Sequence, residues 1–349
     1  MTKVYVGMSG GVDSSLTAAL LVEQGYDVTG VYMKNWTQDL PGMRCPWADD
    51  LADAKRVAVQ LGIDFKVFDF ENEYRQKVVD YMIDEYKLGR TPNPDIMCNQ
   101  EVKFKLFLEA ALEDGADLIA TGHYARVWHA ETDAQLLQAA DSNKDQTYFL
   151  YRVTEKALEK TLFPLGEFTK PEVRKMAEAR GLYTAAKKDS QGICFVGQIG
   201  IREFLTQYVE QKAGKIIDKQ TGKVLGQHDG AIFYTIGQRH GLDIGGGLPY
   251  YVVGKDMDKN EVYVTTNLND DALWKPELTV VSPHWINDVP AEGQYHVRVR
   301  HRAPLIAAQL RYDGSEVRLV LDTPERAVAP GQSIILYDGE VCIGGGIVA

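Results

Sequence analysis

Seven residues near the start of the chain, Ser9-Gly-Gly-Val-Asp-Ser-Ser15, have the composition of a cradle for an oxyanion. An apolar run of strand type, Lys3 to Met8, delivers the chain to Ser9, and helical periodicity from Asp13 to Gln24, closed by Gly25, follows. A strand that feeds a two-glycine turn and then a helix aims free N–H groups back at the turn, which suits a phosphate. The lysine of Gly-x-x-x-x-Gly-Lys-Ser/Thr is missing, so this is not the loop that grips β- and γ-phosphates for terminal phosphoryl transfer, and Gly-x-Gly-x-x-Gly is not matched either. What remains is a nucleotide phosphate site of another kind, or a plain tight connection.

The second set of reactive residues is the cysteines. Cys45, Cys98, Cys194 and Cys342 lie far apart with no Cys-x-x-Cys pair, which suggests neither a disulfide framework nor a metal site. Cys98 follows Asn93-Pro-Asp95, and residues 89–99, with two prolines, read as a stiff loop that exposes its side chains. Asp95 is placed for acid/base work on that thiol, or to cap a turn. Cys194 sits in Asp189-Ser-Gln-Gly-Ile-Cys-Phe195 just after Lys187-Lys188, and basic neighbours favour the thiolate. Cys342, in the apolar Glu340-Val-Cys-Ile343, reads as packing. Cys45, beside Pro46 and Trp47, reads as packing or as lining for the nucleotide loop.

The elements that must position these groups fall into three regions. Across 1 to about 125, short apolar runs alternate with amphipathic stretches, as in a mostly parallel sheet with helices: strands at Asp27 to Met33, Asp64 to Phe70 and Asp117 to Thr121, helices at Ala48 to Leu61, Glu73 to Tyr86 and Glu101 to Glu113. A hairpin is expected after Thr132, then helices around Glu155 to Leu162 and Lys170 to Arg180, then a polar, glycine-bearing and mobile stretch from Lys187 to Gly197. Past Ala213 short strands and turns take over, and from Pro276 the alternation is that of a small β-barrel. On the strand Tyr295-His-Val-Arg-Val-Arg300, His296, Arg298, Arg300 and Arg302 should share an outer face while Val297 and Val299 point inward. Such a basic face is either solvated edge protection or an RNA contact.

Composition sets bounds. The chain has 349 residues, 45% hydrophobic and 25% charged, which suits a soluble protein of two or three domains. No apolar run approaches the roughly 18 residues of a membrane span, and strand-type sequence begins at once, so no membrane association and no signal peptide are expected. A reducing cytoplasm is the expected location. A net charge of -11 argues against broad adhesion to nucleic acid while leaving room for a local basic patch.

Ser9-Gly-Gly-Val-Asp-Ser14 resembles the pyrophosphate loop of the ATP pyrophosphatase superfamily, whose members cleave ATP between its α- and β-phosphates and include amidating, ligating, lysidine-forming and sulfur-inserting enzymes. Further motifs narrow this. Asn93-Pro-Asp-Ile-Met-Cys-Asn99, Gly122-His-Tyr-Ala125, Lys144-Asp-Gln-Thr-Tyr-Phe-Leu150, Gly192-Ile-Cys-Phe195 and Tyr234-Thr-Ile-Gly-Gln-Arg239 resemble, in order and over nearly the whole chain, the bacterial tRNA-specific 2-thiouridylases. That resemblance implies an α/β protein: an adenine-nucleotide α-hydrolase-like domain at 1–205, a small central mixed α/β domain at 206–270 and a C-terminal β-barrel-like tRNA-binding domain at 271–349. It implies ATP held by Gly7, Met8, Ser9, Gly10, Gly11, Val12, Asp13, Ser14 and Ser15, with adenine at Met33 and Gly122, and Mg²⁺ placed by Asp13. It implies 2-thiolation of the wobble uridine of tRNA: the C2 oxygen is adenylated, Cys194 carries a persulfide from a protein donor (a sulfur relay or a cysteine desulfurase), and Cys98 is the nucleophile, leaving a transient Cys98–Cys194 disulfide. Contacts to tRNA are implied for Asn93, Pro94, Asp95, His123, Lys144, Asp145, Gln146, Arg300, His301 and Gln332, with Asn93 to Asp95 at a flipped-out base. His301 departs from the aromatic residue common there, and histidine can still stack. Two rivals stand beside this reading: a pyrophosphate-forming amidotransferase or ligase on a small molecule, which needs no cysteines, and a noncatalytic RNA-binding protein that keeps the loop as a nucleotide sensor.

Overall fold

The computed structural model describes residues 1–39, 45–129, 133–188, 200–245, 247–314 and 316–349. Cys194, and most of the stretch expected to be mobile, lie outside these residues. The N-terminal region is built on a parallel sheet of strands β1 (Lys3–Gly7), β2 (Asp27–Lys34), β3 (Asp64–Asp69), β4 (Leu118–Thr121) and the two-residue β7 (Thr161–Leu162), in the order β3-β2-β1-β4-β7. β1 is the central strand, and Val4, Tyr5 and Val6 are buried on both of its faces, as a parallel sheet covered by helices requires. Helix α1 (Val12–Glu23) packs Leu16, Ala19 and Leu20 on one side and Ala18 and Leu21 on the other. Helix α2 (Trp47–Leu61) turns Ala54 and Val57 inward and closes on Gly62 in the left-handed conformation.

Residues 71–87 are continuously helical and include a π-wound stretch, Arg75–Asp80. The stiff loop expected at 89–99 is shorter than that. Asn93 is a helix N-cap whose Oδ1 accepts from the Asp95 N–H at 3.1 Å, and Pro94 opens a helical run that continues to Glu113 through a π-wound Cys98–Leu106. Proline stops a helix from within but is at home at its first position, where no N–H is needed. Cys98 is therefore on a helix and 1% exposed, not displayed on a loop. The helix expected across Glu155 to Leu162 is a single turn, Glu155–Leu158, and Thr161–Leu162 turns out to be the sheet edge against β4. Too short to show periodicity, that strand is set by its neighbour.

The expected hairpin starts earlier, pairing β5 (Arg126–His129) with β6 (Ala134–Leu137), and it belongs to a distant sheet. β6 pairs with β17 (Val341–Val348), so the N-terminal half adds two strands to the C-terminal one. There, β12 (Trp274–Trp285), β13 (Gly293–Arg298), β14 (Ile306–Asp313), β15 (Glu316–Arg326), β16 (Ser333–Asp338) and β17 run β12-β15-β14-β13-β16-β17, and a β12–β17 pairing closes the barrel. Val297, Leu310, Leu319, Ile334 and Leu336 fill it. The central domain is a four-stranded sheet, β10 (Tyr251–Asp256), β11 (Glu261–Thr265), β8 (Gly214–Asp218) and β9 (Val224–His228), with β8 and β11 parallel and Ile216, Tyr234, Val252 and Val264 in its core.

The outer basic face expected on β13 does not form. His296 is exposed, but Val297, Arg298 and Val299 are all buried, the strand ends at Arg298, and Arg302 sits in a turn at φ +63°. Alternation fails because another domain covers this end of the strand. Arg298 Nη1 meets Asp145 Oδ2 at 2.7 Å, and the guanidinium lies over the Tyr337 ring. Asp145 also accepts from the Ala139 and Thr147 N–H groups and the Thr147 hydroxyl. Tyr148 and Tyr151 reach the carbonyl and hydroxyl of Ser333 at 3.1 and 3.2 Å. Removing one partner of so buried a pair strands the other charge. Asp145→Ala should therefore lower unfolding stability by roughly 3–5 kcal/mol, and a paired Asp145→Leu, Arg298→Met variant should lose less than Asp145→Ala alone. Denaturant titration of the three proteins checks both expectations.

Candidate functional site

The sheet order reverses between β1 and β4, and the crevice beyond their C-terminal ends is where an open α/β sheet receives a ligand. The glycine-rich loop lies in that crevice. Gly10 takes φ +74°, where a side chain would also run into the backbone of Asp50 on α2. The hydroxyls brace the turn: Ser9 N–H donates to Ser14 Oγ at 3.2 Å, Ser14 Oγ donates to the Gly11 carbonyl at 3.2 Å, and Ser15 Oγ to the same carbonyl at 2.7 Å. Buried serines are satisfied this way, and the first N–H groups of α1 are left for an anion. A Cβ on Gly122 would stand 2.8 Å from Asp13 C and Ser14 N, so the end of β4 can touch the start of α1 only as glycine. Met33 lies against Gly7. The sequence-expected nucleotide residues on β1, β2, β4 and the loop are thus gathered at one place.

Asp13 holds the feature that sequence reasoning missed. Its two carboxylate oxygens accept from Lys170 Nζ at 2.7 and 2.8 Å, and Tyr124 OH donates to Oδ1 at 2.9 Å. Lys170 opens the helix Lys170–Ala179 behind the capping box Thr169 and Glu172, and its side chain is only 10% exposed. A cation in the first turn opposes the helix dipole. Lysine straight after a capping-box threonine was the legible signal that something negative must face it. As for magnesium, no group of three or more acidic, histidine or cysteine side chains among the described residues could hold a metal ion. Asp13, already paired, is too little protein to bind Mg²⁺ alone, so these residues fit the ion only as a companion of nucleotide phosphates.

The helical run 94–113 reaches this crevice. Phe107 lies against Gly7, and Phe104 packs on His123 with ring centroids 5.5 Å apart. Cys98 is six residues before Phe104 on the same π-wound stretch. Its neighbour Asn99 donates to the Phe149 carbonyl at 3.0 Å, and the Phe149 ring faces His301 at 4.6 Å. Thr91 N–H donates to the Pro330 carbonyl at 2.8 Å, which brings the approach to Asn93 against the turn that carries Gln332. Asn93 and Asp95 are half-buried and Pro94 is buried. Gln146 accepts from the Tyr124 N–H at 2.9 Å beside the half-buried Lys144. Asp145 and His123 point the other way: both are buried, Asp145 on Arg298 and His123 on Thr121 Oγ1 at 2.8 Å. Arg300 pairs with Glu325 at 3.1 Å.

Family models match the chain from end to end: "tRNA methyl transferase HUP domain" over residues 2–198, "tRNA methyl transferase PRC-barrel domain" over 202–266 and "Aminomethyltransferase beta-barrel domain" over 275–348. The tRNA-specific 2-thiouridylase MnmA of Bacillus cytotoxicus is 46% identical over 99% of this chain and 94% of its own. The tRNA-specific 2-thiouridylase MnmA 2 of Geobacillus kaustophilus is 48% identical with the same coverage. The chain belongs to the tRNA-specific 2-thiouridylase family. Solved structures share less: a 4-thiouridine synthetase–RNA complex with bound ATP aligns over 59% of this chain and 50% of that one at 18% identity and a TM-score of 0.40. The domain descriptions speak of methyl transfer and the relatives of thiolation. Near-complete coverage at almost half identity puts this member with the relatives.

The electrostatics of this family member's site are those of a half-dry pocket. Burial, with the nearby Lys103 charge, holds His123 well below the usual imidazole range. Burial first, then the charge of Arg302, brings His301 from 6.5 down to about 4. Both rings are neutral at physiological pH. No helix among the described residues is long and apolar enough to cross a membrane.

Two predictions follow from this geometry. Because the folded pKa of His301 lies below its unfolded value of 6.5, its contribution to stability is whole above about pH 6.5 and is lost as pH falls towards 4. Its ring proton resonances should titrate near pH 4, and a midpoint near 6.5 would refute its burial against Phe149. Second, Gly122→Ala and Lys170→Ala should each weaken ATP binding about tenfold or more, by displacing the start of α1 in one case and removing a fixed cation in the other. Titration calorimetry with ATP checks this, and wild-type affinity in Lys170→Ala would remove Lys170 from the site.

Proposed function

We propose that this enzyme 2-thiolates the wobble uridine of tRNA, using ATP, its accompanying Mg²⁺ and sulfur delivered as a cysteine persulfide by a protein donor. The uracil C2 carbonyl is amide-like, and its oxygen leaves poorly. When that oxygen attacks the α-phosphorus of ATP, pyrophosphate departs and the oxygen becomes part of an AMP leaving group. Ser9, Gly10, Gly11 and the first N–H groups of α1 take up the pyrophosphate, and Lys170 supplies a positive charge beside it. The outer sulfur of a Cys194 persulfide ends on C2, AMP leaves with the original oxygen, and Cys98 attacks the inner sulfur to give a Cys98–Cys194 disulfide. A thiol reductant then restores both cysteines. Whether Cys98 cleaves before or after C2 is attacked, the atoms and electrons balance in the same way.

The observation that carries this reading is the packing of one helix. The run that holds Asp95 and Cys98 lies against Gly7 through Phe107 and against His123 through Phe104, which supports reading the thiol and the nucleotide loop as parts of one site. On this reading an extruded base enters between them once RNA has opened the surroundings of Cys98. Neutral His301 and Phe149, from the barrel and the first domain, offer aromatic faces on which a base or ribose can stack. Cys98 is buried without substrate, which keeps the thiol from idle oxidation and means that RNA must open its surroundings. Cys45 and Cys342 have no part. Burial pushes both thiols up, Cys342 is fully buried in β17, and Cys45 Sγ contacts the Trp36 carbonyl.

Incubation with ATP, tRNA and a persulfide donor should give thiolated tRNA, AMP and pyrophosphate, and ADP in place of AMP would falsify the reaction. Cys98→Ser and Cys194→Ser should each abolish thiolation. Cys45→Ala and Cys342→Ala should keep most of it in whatever fraction remains folded. Pyrophosphate release that depends on a small acid and not on tRNA would favour a ligase instead.

A further inference from the structure

Between the central domain and the barrel lies a recess of about 290 Å³, walled by Ile236 and Gly237 on one side and by Arg300, Arg326, Ala327 and Gln332 on the other. Arg326 ends β15, and its guanidinium lies over the ring of Tyr251, the first residue of β10, at 4.8 Å. Its Nε and Nη2 are buried and have no hydrogen-bond partner among the described residues. Arginine carries five donors and no acceptor, and leaving buried ones unmet is costly. The carboxylate next to it in the chain, Glu325, is taken by Arg300, whose other nitrogen donates to the carbonyls of Arg326 and Ala327. Two guanidiniums against one carboxylate leave the recess with a single net positive charge on a chain of net charge -11. Gln332 Oε1 accepts from the Ala329 N–H at 3.1 Å, so the NH₂ end of that amide is the end left to donate. Ala327 is held at φ +56° with its N–H on the Leu273 carbonyl. Strain of that kind persists where the surroundings enforce it, and it gathers at ligand clamps.

We propose that Arg326, laid on Tyr251, completes with Arg300 and Gln332 a clip for one backbone phosphate of the RNA substrate, so that the central domain and the barrel bind RNA jointly at this point. The inference rests on the reading of the chain as a tRNA-modifying enzyme. The recess offers donors in a planar fork, which match the oxygens of a phosphate diester, and its single surplus charge matches the diester's single negative charge. The surplus positive charge favours an anionic phosphate over a neutral base edge, so the contact positions the RNA and reads no sequence. Tyr251 fixes the plane of the guanidinium, and a lysine in its place would keep the charge without the fork.

The test uses the full-length protein. Affinity for tRNA is measured by filter binding over a salt series for the wild type, Arg326→Gln, Arg326→Lys and Tyr251→Leu, with melting temperature and ATP affinity as controls on folding. Arg326→Gln should weaken tRNA binding roughly three- to tenfold and reduce the slope of log affinity against log salt by about one, with ATP affinity unchanged. Arg326→Lys should keep the slope and lose part of the affinity, and Tyr251→Leu should fall between. Wild-type affinity and slope in Arg326→Gln, with the wild type binding tRNA normally, overturn the clip and leave the proposed function standing. A wild type that binds no tRNA overturns both. Inorganic phosphate is titrated in parallel, followed by the Arg326 Nε–H resonance. Saturation by phosphate together with an unchanged tRNA slope in Arg326→Gln would make the recess a free-anion site and overturn the RNA assignment.

Discussion

The site depends on the buried ion pair between Asp145 and Arg298, because that pair fixes how far the barrel stands from the glycine-rich loop. Cys98 and the loop belong to one domain, His301, Arg300 and Gln332 to another, and the site proposed between these sequence-distant domains needs their separation to be set. A hydrophobic interface alone would hold them together with some freedom to slide. A carboxylate that accepts from Arg298, two backbone N–H groups and the Thr147 hydroxyl admits one register. The ladder of β6 on β17 adds a second constraint, since a strand pairing is fixed along its length. Such a buried pair contributes less to net stability than to uniqueness of arrangement.

That fixed spacing gives the site its electrostatic character. Burial keeps His123 and His301 neutral, so the positive charge near the crevice and the barrel face comes from lysine and arginine, which do not titrate at physiological pH. For a chain of net charge -11, the proposed RNA contacts then call for a few placed cations rather than a basic surface. The β13 strand shows how this is arranged. Of its alternating basic residues, Arg298 is turned inward to hold the domains, and Arg300, past the strand end, pairs with Glu325 at the rim of the interdomain recess. One structural cation and one surface cation come from what reads, in sequence, as a uniform stripe.

The sequence was most informative where local rules decide the outcome. The strand, two-glycine turn and helix at Lys3 to Gln24 formed as read, because chain direction and glycine conformation fix them within a few residues. The alternation of the C-terminal strands carried the barrel. It failed where a distant partner decides: β7 is two residues long and exists only beside β4, and β5 and β6 extend a sheet whose other strands lie more than a hundred residues away. Asn93-Pro94 failed for a different reason. The residues were seen, but proline was weighed as a breaker when an asparagine cap before it makes it a helix opener. That one misreading also turned Cys98 from a buried thiol into an exposed one. The cysteines themselves, and the loop, needed only residue types and neighbours to be noticed.

Lys170 and Asp13 show a partnership whose need the sequence signals but whose partner only the fold supplies. Asp13 lies in the first turn of α1, where the helix dipole favours a carboxylate, and Lys170 opens another helix, where the dipole disfavours an ammonium. Neither chain segment alone says which carboxylate meets the lysine. Brought together at 2.7 Å, the pair cancels the lysine's misfit, and Tyr124 orients the carboxylate from the side. The cancellation is also what makes the site ready for phosphates. An Asp13 carboxylate without its partner would repel an incoming nucleotide; against the Lys170 ammonium it presents almost no net field. A phosphate that approaches from the loop side can then draw the ammonium towards itself without desolvating it anew, since the protein has already taken that ammonium out of water. In the proposed reaction the resting ion pair is thus a stored cation beside the glycine-rich loop.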